Sequence, residues 1–350
     1  MRLGLSLPLA SSAAGLRNQV ELAVAADRLG YDIVWVPEAY GGDAVSILAS
    51  IAARTERIEI GSAVLQIPAR TPAMTAMTAA SLDALSRGRF RLGLGVSGPQ
   101  VSEGWHGVGF ANPLGRTREY VQIVRDALAR RKVVAEGKYF TLPLPGGPGK
   151  PLVLALETER PTVPVYLAAV GPKSVALAGE IADGWLSIFF DSHSGTEQID
   201  AIQAAATAAG RDPASIDIAV QVPVSFANDA ETAAQRVRPY AALYIGGMGS
   251  KKVNFYHGIA SRMGYGAESD EVQRLFLSRD YAGAAEAVPQ EFLARTCLIG
   301  NDADITAGLL RLRDAGVTTA GLNLISLPLP LQIEGLEHVM ALARDAGVLG

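Results

Sequence analysis

Residues 2–36 read RLGLSLPLASSAAGLRNQVELAVAADRLGYDIVWV. Residues 2–7 form a short apolar run. In residues 15–29, Leu16, Val20, Ala23, Val24 and Leu29 recur at helical spacing. Gly30 stands where a helix ends in a left-handed residue, and a second apolar run fills residues 32–36. Strand, amphipathic helix and strand in direct succession make a crossover unit, which brings the two strands side by side and parallel.

The same grammar continues outward. A helix over 43–54, a strand over 58–65 and a helix over Pro72–Leu85 follow, the last with Thr71 as N-cap and Pro72 at its first position. A strand over 89–94, a helix over 116–131, strands over 163–168 and 185–189, and helices over Pro172–Ile181 and 197–209 come next. Strands over 216–222 and Thr319–Leu324 flank a long segment that is helical in pieces, and helices over 302–315 and 331–346 bracket the last strand. Eight strands with at least eight crossovers predict one α/β domain over residues 1–350, a (β/α)8 TIM barrel with insertions near 132–160 and 246–290. A doubly wound open sheet is the alternative. The first insertion is rich in Pro and Gly; the second carries Gly246-Gly247-Met248-Gly249, and residues 246–265, with Asn254, Tyr256 and His257, read equally as part of a pocket wall or as a solvated surface connection.

Composition narrows the function classes. The chain is 49% hydrophobic and 19% charged, enough apolar surface for a large core and unlike a disordered chain. A net charge of −4, with no basic run longer than Arg130-Arg131-Lys132, offers no footprint for nucleic acid or an anionic membrane, so a small-molecule substrate is the expected partner. Surface helices rich in Ala and Leu are compatible with a homodimer. One cysteine, Cys297, and four unclustered histidines predict neither a disulfide nor a metal site. Met1-Arg2, an apolar stretch and Ser11-Ser12-Ala13 have the outline of a short secretory signal. Gly4, Ser6 and Pro8 interrupt it, so a first barrel strand and a cytoplasmic enzyme are expected.

In a barrel of this kind the chemistry lies just after the strands. Gly93-Leu94-Gly95-Val96-Ser97-Gly98 matches GxGxxG, but it follows the fourth strand and runs into a long loop. It reads as glycines that let crowded strands pack and that offer a flat backbone surface to a planar ring, rather than as a dinucleotide fingerprint. Gly171, Pro172, Lys173 and Ser174 join a strand directly to a helix, placing backbone N–H groups and a lysine at a positive dipole end; that arrangement suits a phosphate, and equally an ordinary capped helix.

Four stretches together carry a resemblance: Leu85-Ser86-Arg87-Gly88-Arg89, Ala168-Ala169-Val170-Gly171-Pro172-Lys173, Ala178-Gly179-Glu180-Ile181-Ala182-Asp183-Gly184 and Asp314-Ala315-Gly316-Val317. With these the chain resembles the deazaflavin-dependent branch of the luciferase-like oxidoreductases, and most of all the methylenetetrahydromethanopterin reductase-like proteins, which use the 8-hydroxy-5-deazaflavin coenzyme (coenzyme F-420). The resemblance implies a non-prolyl cis peptide at Ala63-Val64 behind the ring, Val96 and Ser97 facing it, the coenzyme phosphate on residues 171–174, and Glu38 as a coenzyme-contacting acid. Sugar-phosphate and alcohol dehydrogenases of that family carry a His after this acid and a Glu after the fourth strand, where Ala39 and Gly98 stand here. A reductase of an activated C=C or C=N bond is therefore expected, with its proton from Glu103, Tyr40 or His106. Alternatives are a flavin-mononucleotide (FMN) monooxygenase of the same fold and a non-redox barrel that binds a phosphorylated small molecule.

Overall fold

Eight strands follow one another around a ring: β1 (Arg2–Ser6), β2 (Ile33–Val36), β3 (Glu59–Ser62), β4 (Phe90–Gly95), β5 (Val165–Ala168), β6 (Gly184–Ile188), β7 (Asp217–Phe226) and β8 (Thr319–Leu324). Every neighbouring pair is parallel, and β8 pairs with β1 through Arg2↔Thr319 to Leu5↔Leu322, which closes the barrel. The computed structural model describes residues 1–251, 253–325 and 327–349.

Local signals account for where the helices begin and end. Ser12 caps helix Ala13–Leu29 by accepting from the Gly15 N–H at 3.0 Å, and Gly30 ends it at φ 89°. Thr71 caps Pro72–Leu85, at the expected bounds. The strands are buried almost throughout, as a sheet covered by helices requires. Inside the barrel the Trp35 ring takes the space beside Gly61, where a Cβ would lie 2.3 Å from it, and meets Tyr166 edge-on at 5.2 Å. At the amino-terminal end Glu59 bridges Arg2 and Arg91, while Asp217 accepts from the Tyr166 and Thr319 hydroxyls, both at 2.8 Å. Burial alone would raise the Glu59 pKa, but the two guanidiniums hold it below the ordinary carboxylate range.

The structure departs from the sequence reading in its smaller elements. The strand expected over 58–65 is interrupted: Ala63-Val64 is cis, and Leu65–Gln66 then pairs with β4 at Leu94 and Gly95. A short strand, Leu298–Gly300, lies on β7 outside the ring, paired through Val224↔Leu298; three residues are too few to show a period. The loop expected after β4 opens with a single helical turn, Pro99–Ser102. In the first insertion Ala135–Glu136 and Thr141–Leu142 form a small antiparallel hairpin.

The long segment before β8 folds into helices Ala230–Ala242, Phe255–Arg262, Gly266–Leu277, Tyr281–Glu286 and Gln290–Thr296, with a π-helical turn at Leu243–Gly247. These helices share a second apolar cluster that includes Phe189, Val237, Ile245, Val272 and Phe292. The insertion is thereby anchored over the carboxyl ends of the strands. Among the described helices none is long and apolar enough to cross a membrane.

Candidate functional site

A cavity of about 200 Å³ opens at the carboxyl ends of the strands, where the barrel rule places function. Its floor is built around the interruption in β3. Beyond Ser62 the chain bulges inward, and the Ser62 hydroxyl takes over the pairing with β4, donating to the Gly93 carbonyl at 2.8 Å and accepting its N–H at 2.9 Å. A Cβ at Gly95 would stand 2.4 Å from Val64 Cγ2, so glycine at 95 is what admits the Val64 side chain. Ala63, Val64, Val96 and Ser97 all line the cavity, with Ser97 in the left-handed region at φ 58°. Gly93 and Gly95 thus serve packing, and the strand end beyond them forms part of the cavity wall.

Glu38 also lines the cavity, but its carboxylate is committed elsewhere. Arg70 grips both oxygens at 2.6 and 2.7 Å, and the N–H groups of Ala44 and Gln66 approach at 3.3 and 3.2 Å. The Arg70 guanidinium is held above its ordinary pKa, chiefly by this hydrogen bonding to Glu38. Gln66 donates its amide to the Glu38 and Ala39 carbonyls at 3.1 and 3.0 Å, locking the loop after β2 to the bulge.

The three proton-donor candidates separate. Tyr40 lines the cavity mouth, half exposed, with its hydroxyl on Met248 Sδ at 3.6 Å. His106 stands behind the wall with Nε2 2.6 Å from Gln66 Oε1. Because the Gln66 amide nitrogen is occupied by two carbonyls, Oε1 faces the ring and Nε2 carries the proton. Glu103 is exposed outside the cavity and accepts the Phe110 N–H at 3.0 Å, pinning its own loop.

Residues 171–174 continue from the cavity wall at Ala168, Ala169 and Val170 without lining it. Gly171 is the N-cap of the helix, Pro172 its first residue, and the Ser174 hydroxyl donates back to the Gly171 carbonyl at 2.8 Å. Pro172 and Lys173 are exposed, and a Cβ at Gly171 would meet nothing closer than 3.8 Å. Arg262, from the insertion, reaches over to donate to the Val170 carbonyl at 3.2 Å, and burial lowers its pKa. Among the described residues, neither Arg262 nor Lys173 has a carboxylate within ion-pair distance.

The insertion supplies the rest of the wall through Tyr244, Met248, Phe255 and Tyr256. Met248, Phe255 and Tyr256 fall in the stretch expected there and Tyr244 lies just outside it, while His257 turns away to Asp270 at 2.9 Å. Gln66 and Arg70 lie in the loop after the third strand and Arg262 in residues 246–265, stretches the sequence marks without singling these residues out; Tyr244 lies outside both, and the Gly-Gly after it, its one local signal, reads as a break. Among the described residues no group of three or more His, Cys, Asp or Glu is placed to hold a metal ion.

Residues 1–319 match the family model described as luciferase-like monooxygenase. A protein of Mycobacterium tuberculosis, named provisionally as a coenzyme F-420-dependent oxidoreductase, is 41% identical over 91% of this chain and 93% of its own length. An F-420-dependent glucose-6-phosphate dehydrogenase of Amycolatopsis mediterranei is 30% identical over 83% of each chain. Among solved structures, the coenzyme F-420-dependent tetrahydromethanopterin reductase of Methanopyrus kandleri superposes with a TM-score of 0.79 over 97% of both chains at 22% identity, a likeness of fold. With its closed barrel and the cavity at its strand ends, this enzyme belongs to the luciferase-like monooxygenase family.

Proposed function

We propose that this enzyme is an oxidoreductase that transfers hydride from the reduced 8-hydroxy-5-deazaflavin coenzyme, coenzyme F-420, to a small organic substrate carrying an activated C=C or C=N bond. The observation that carries the reading is the cavity floor: the Ala63-Val64 bulge, seated against Gly95, presents an apolar convex surface that a planar ring can lie on. The names of relatives at 41% and 30% identity support the choice of coenzyme. When bound, the deazaflavin supplies a hydride and no oxygen chemistry.

The chain's own residues would divide the work. Val64 and Ala63 support one ring face, Val96 and Ser97 border its edge, and residues 171–174 with Lys173 and Arg262 offer N–H groups and positive charge to the coenzyme phosphate. Glu38, saturated by Arg70, holds the loop after β2 in place rather than reaching for the coenzyme. Ala39 and Gly98 line the cavity where an alcohol-oxidising acid/base pair would have to stand, so reduction of an unsaturated bond fits this wall better than oxidation of a hydroxyl.

The test is a parallel titration of the purified protein with the deazaflavin coenzyme and with flavin mononucleotide, each oxidised and reduced, followed by intrinsic fluorescence and coenzyme absorbance. Preferential binding of the deazaflavin is expected. Preferential binding of the flavin would replace the reading with a monooxygenase, and binding of neither would leave a non-redox barrel.

A further inference from the structure

The cavity wall contains four ionisable side chains among the described residues: Glu38, Tyr40, Tyr244 and Tyr256. Glu38 is committed to Arg70, and Tyr40 is half exposed at the mouth with its hydroxyl on Met248. Tyr244 is set differently. It sits in the π-helical turn Leu243–Gly247, where the Met248 N–H reaches back to the Leu243 carbonyl at 2.9 Å. Wide turns of this kind are frequent at functional sites. The turn is held by specific partners: Asn254 donates its amide to the Tyr244 and Ile245 carbonyls at 3.0 and 2.8 Å, and Gly246 and Gly247 lie so close to the Phe276 side chain that a Cβ on either would come within 2.5 Å of it. The Tyr244 ring is then fixed on three sides, with centroids 4.7 Å from Tyr240, 4.8 Å from Tyr256 and 5.6 Å from Phe189.

We propose that Tyr244 donates the proton in the reduction, with Tyr240 as a positioning residue behind it that steadies the phenolate left by the transfer. The inference rests on the reductase reading above and names the group that reading lacks. In the step, the substrate's double bond takes up hydride at one atom, with two electrons from the reduced deazaflavin, and the Tyr244 phenolic proton at the other. The Tyr244 O–H bond breaks, the substrate bond becomes single, the coenzyme is left oxidised, and solvent at the mouth beside Tyr40 returns the proton. Burial pushes the Tyr244 phenol above its ordinary pKa, and the Tyr240 hydroxyl draws it part of the way back. Tyr240 itself is raised well above its ordinary value, by burial first and then by Tyr244. The proton is thus withheld from water at neutral pH yet placed beside a group that stabilises its loss.

Two measurements on the full-length protein test this. The first needs no coenzyme: tyrosinate absorbance is titrated in wild type, Tyr244→Phe and Tyr240→Phe. The transition missing from Tyr244→Phe should move to higher pH in Tyr240→Phe, by about half a unit or more, because the neighbouring hydroxyl is gone. No movement would overturn the pairing. The second follows oxidation of the reduced coenzyme by cyclohexenone, beside coenzyme affinity. Tyr244→Phe should keep the affinity within about twofold and lose turnover by about a hundredfold. In Tyr240→Phe the alkaline limb of kcat/KM should shift upward, because the donor loses its proton at higher pH. Wild-type turnover in Tyr244→Phe would overturn the proposal, as would a matching loss of coenzyme affinity, which would make Tyr244 a wall of the coenzyme site. If wild type binds the coenzyme yet leaves cyclohexenone untouched, the reductase reading fails for conjugated carbonyls, while the tyrosinate titration still decides the pair.

Discussion

Replacing Arg70 by Met removes the cation from a pair whose side chains are only 15% and 8% exposed. Glu38 would keep the Gln66 and Ala44 N–H groups, at 3.2 and 3.3 Å, but lose its two short bonds at 2.6 and 2.7 Å. Breaking one partner out of a buried pair costs about 3–5 kcal/mol, because the other charge is left without compensation. The remaining N–H donors place Arg70→Met near the lower end, about 3 kcal/mol. In a chain of this length that corresponds to a fall in melting midpoint of roughly 4 °C. Urea and thermal unfolding should both register it, and Glu38→Gln added to Arg70→Met should regain at least ~1 kcal/mol, since the only charge then left without Arg70 is the half-exposed Asp43 carboxylate. Coenzyme affinity in the double variant should stay within about threefold of wild type if Glu38 is a scaffold for the loop that carries Tyr40. A loss below ~1 kcal/mol in Arg70→Met, or a double variant no more stable than the single one, would show that the carboxylate is solvated and free to serve a ligand.

Three further outcomes follow from the geometry. Gly95→Ala puts a Cβ 2.4 Å from Val64 Cγ2 and should destabilise by about 1–3 kcal/mol while weakening coenzyme binding; Val64→Ala in the same chain should restore much of the stability, which unfolding and coenzyme titrations would read. Gly171→Trp places its Cβ no closer than 3.8 Å to any neighbour, so its melting midpoint should match wild type while coenzyme affinity drops at least about tenfold; unchanged affinity would remove residues 171–174 from the site. Glu59 has a depressed pKa in the folded state, so its contribution is present above the unfolded value of about 4.3 and disappears as pH falls through the folded value. Glu59→Gln should therefore be less stable than wild type at neutral pH, with the gap closing below about pH 4 in urea unfolding.

What could be read in the sequence divides along a physical line. Helix Pro72–Leu85 was legible to the residue because its start is fixed by its own Thr71 and Pro72, and the barrel was legible because every strand and crossover carries its own period. Leu298–Gly300 was not, having too few residues to repeat a pattern, and the cis Ala63-Val64 bond came from family likeness rather than from periodicity. The direction of a loop side chain depends on partners distant in sequence: Glu38 meets Arg70 across thirty-two positions, and His106 meets Gln66 across forty. The same division runs through the cavity. Its floor, proposed for the coenzyme, comes from strand ends, which any reading of a barrel can locate. Its roof, proposed for the substrate, comes from Tyr244 and Met248, set by a π-helical turn that Asn254 and Phe276 hold from outside it, and from Phe255 and Tyr256 at the start of the next helix. Gly246-Gly247 announces a break in the chain but not where the break points, so the sequence is informative about the coenzyme and nearly silent about the substrate for one and the same reason.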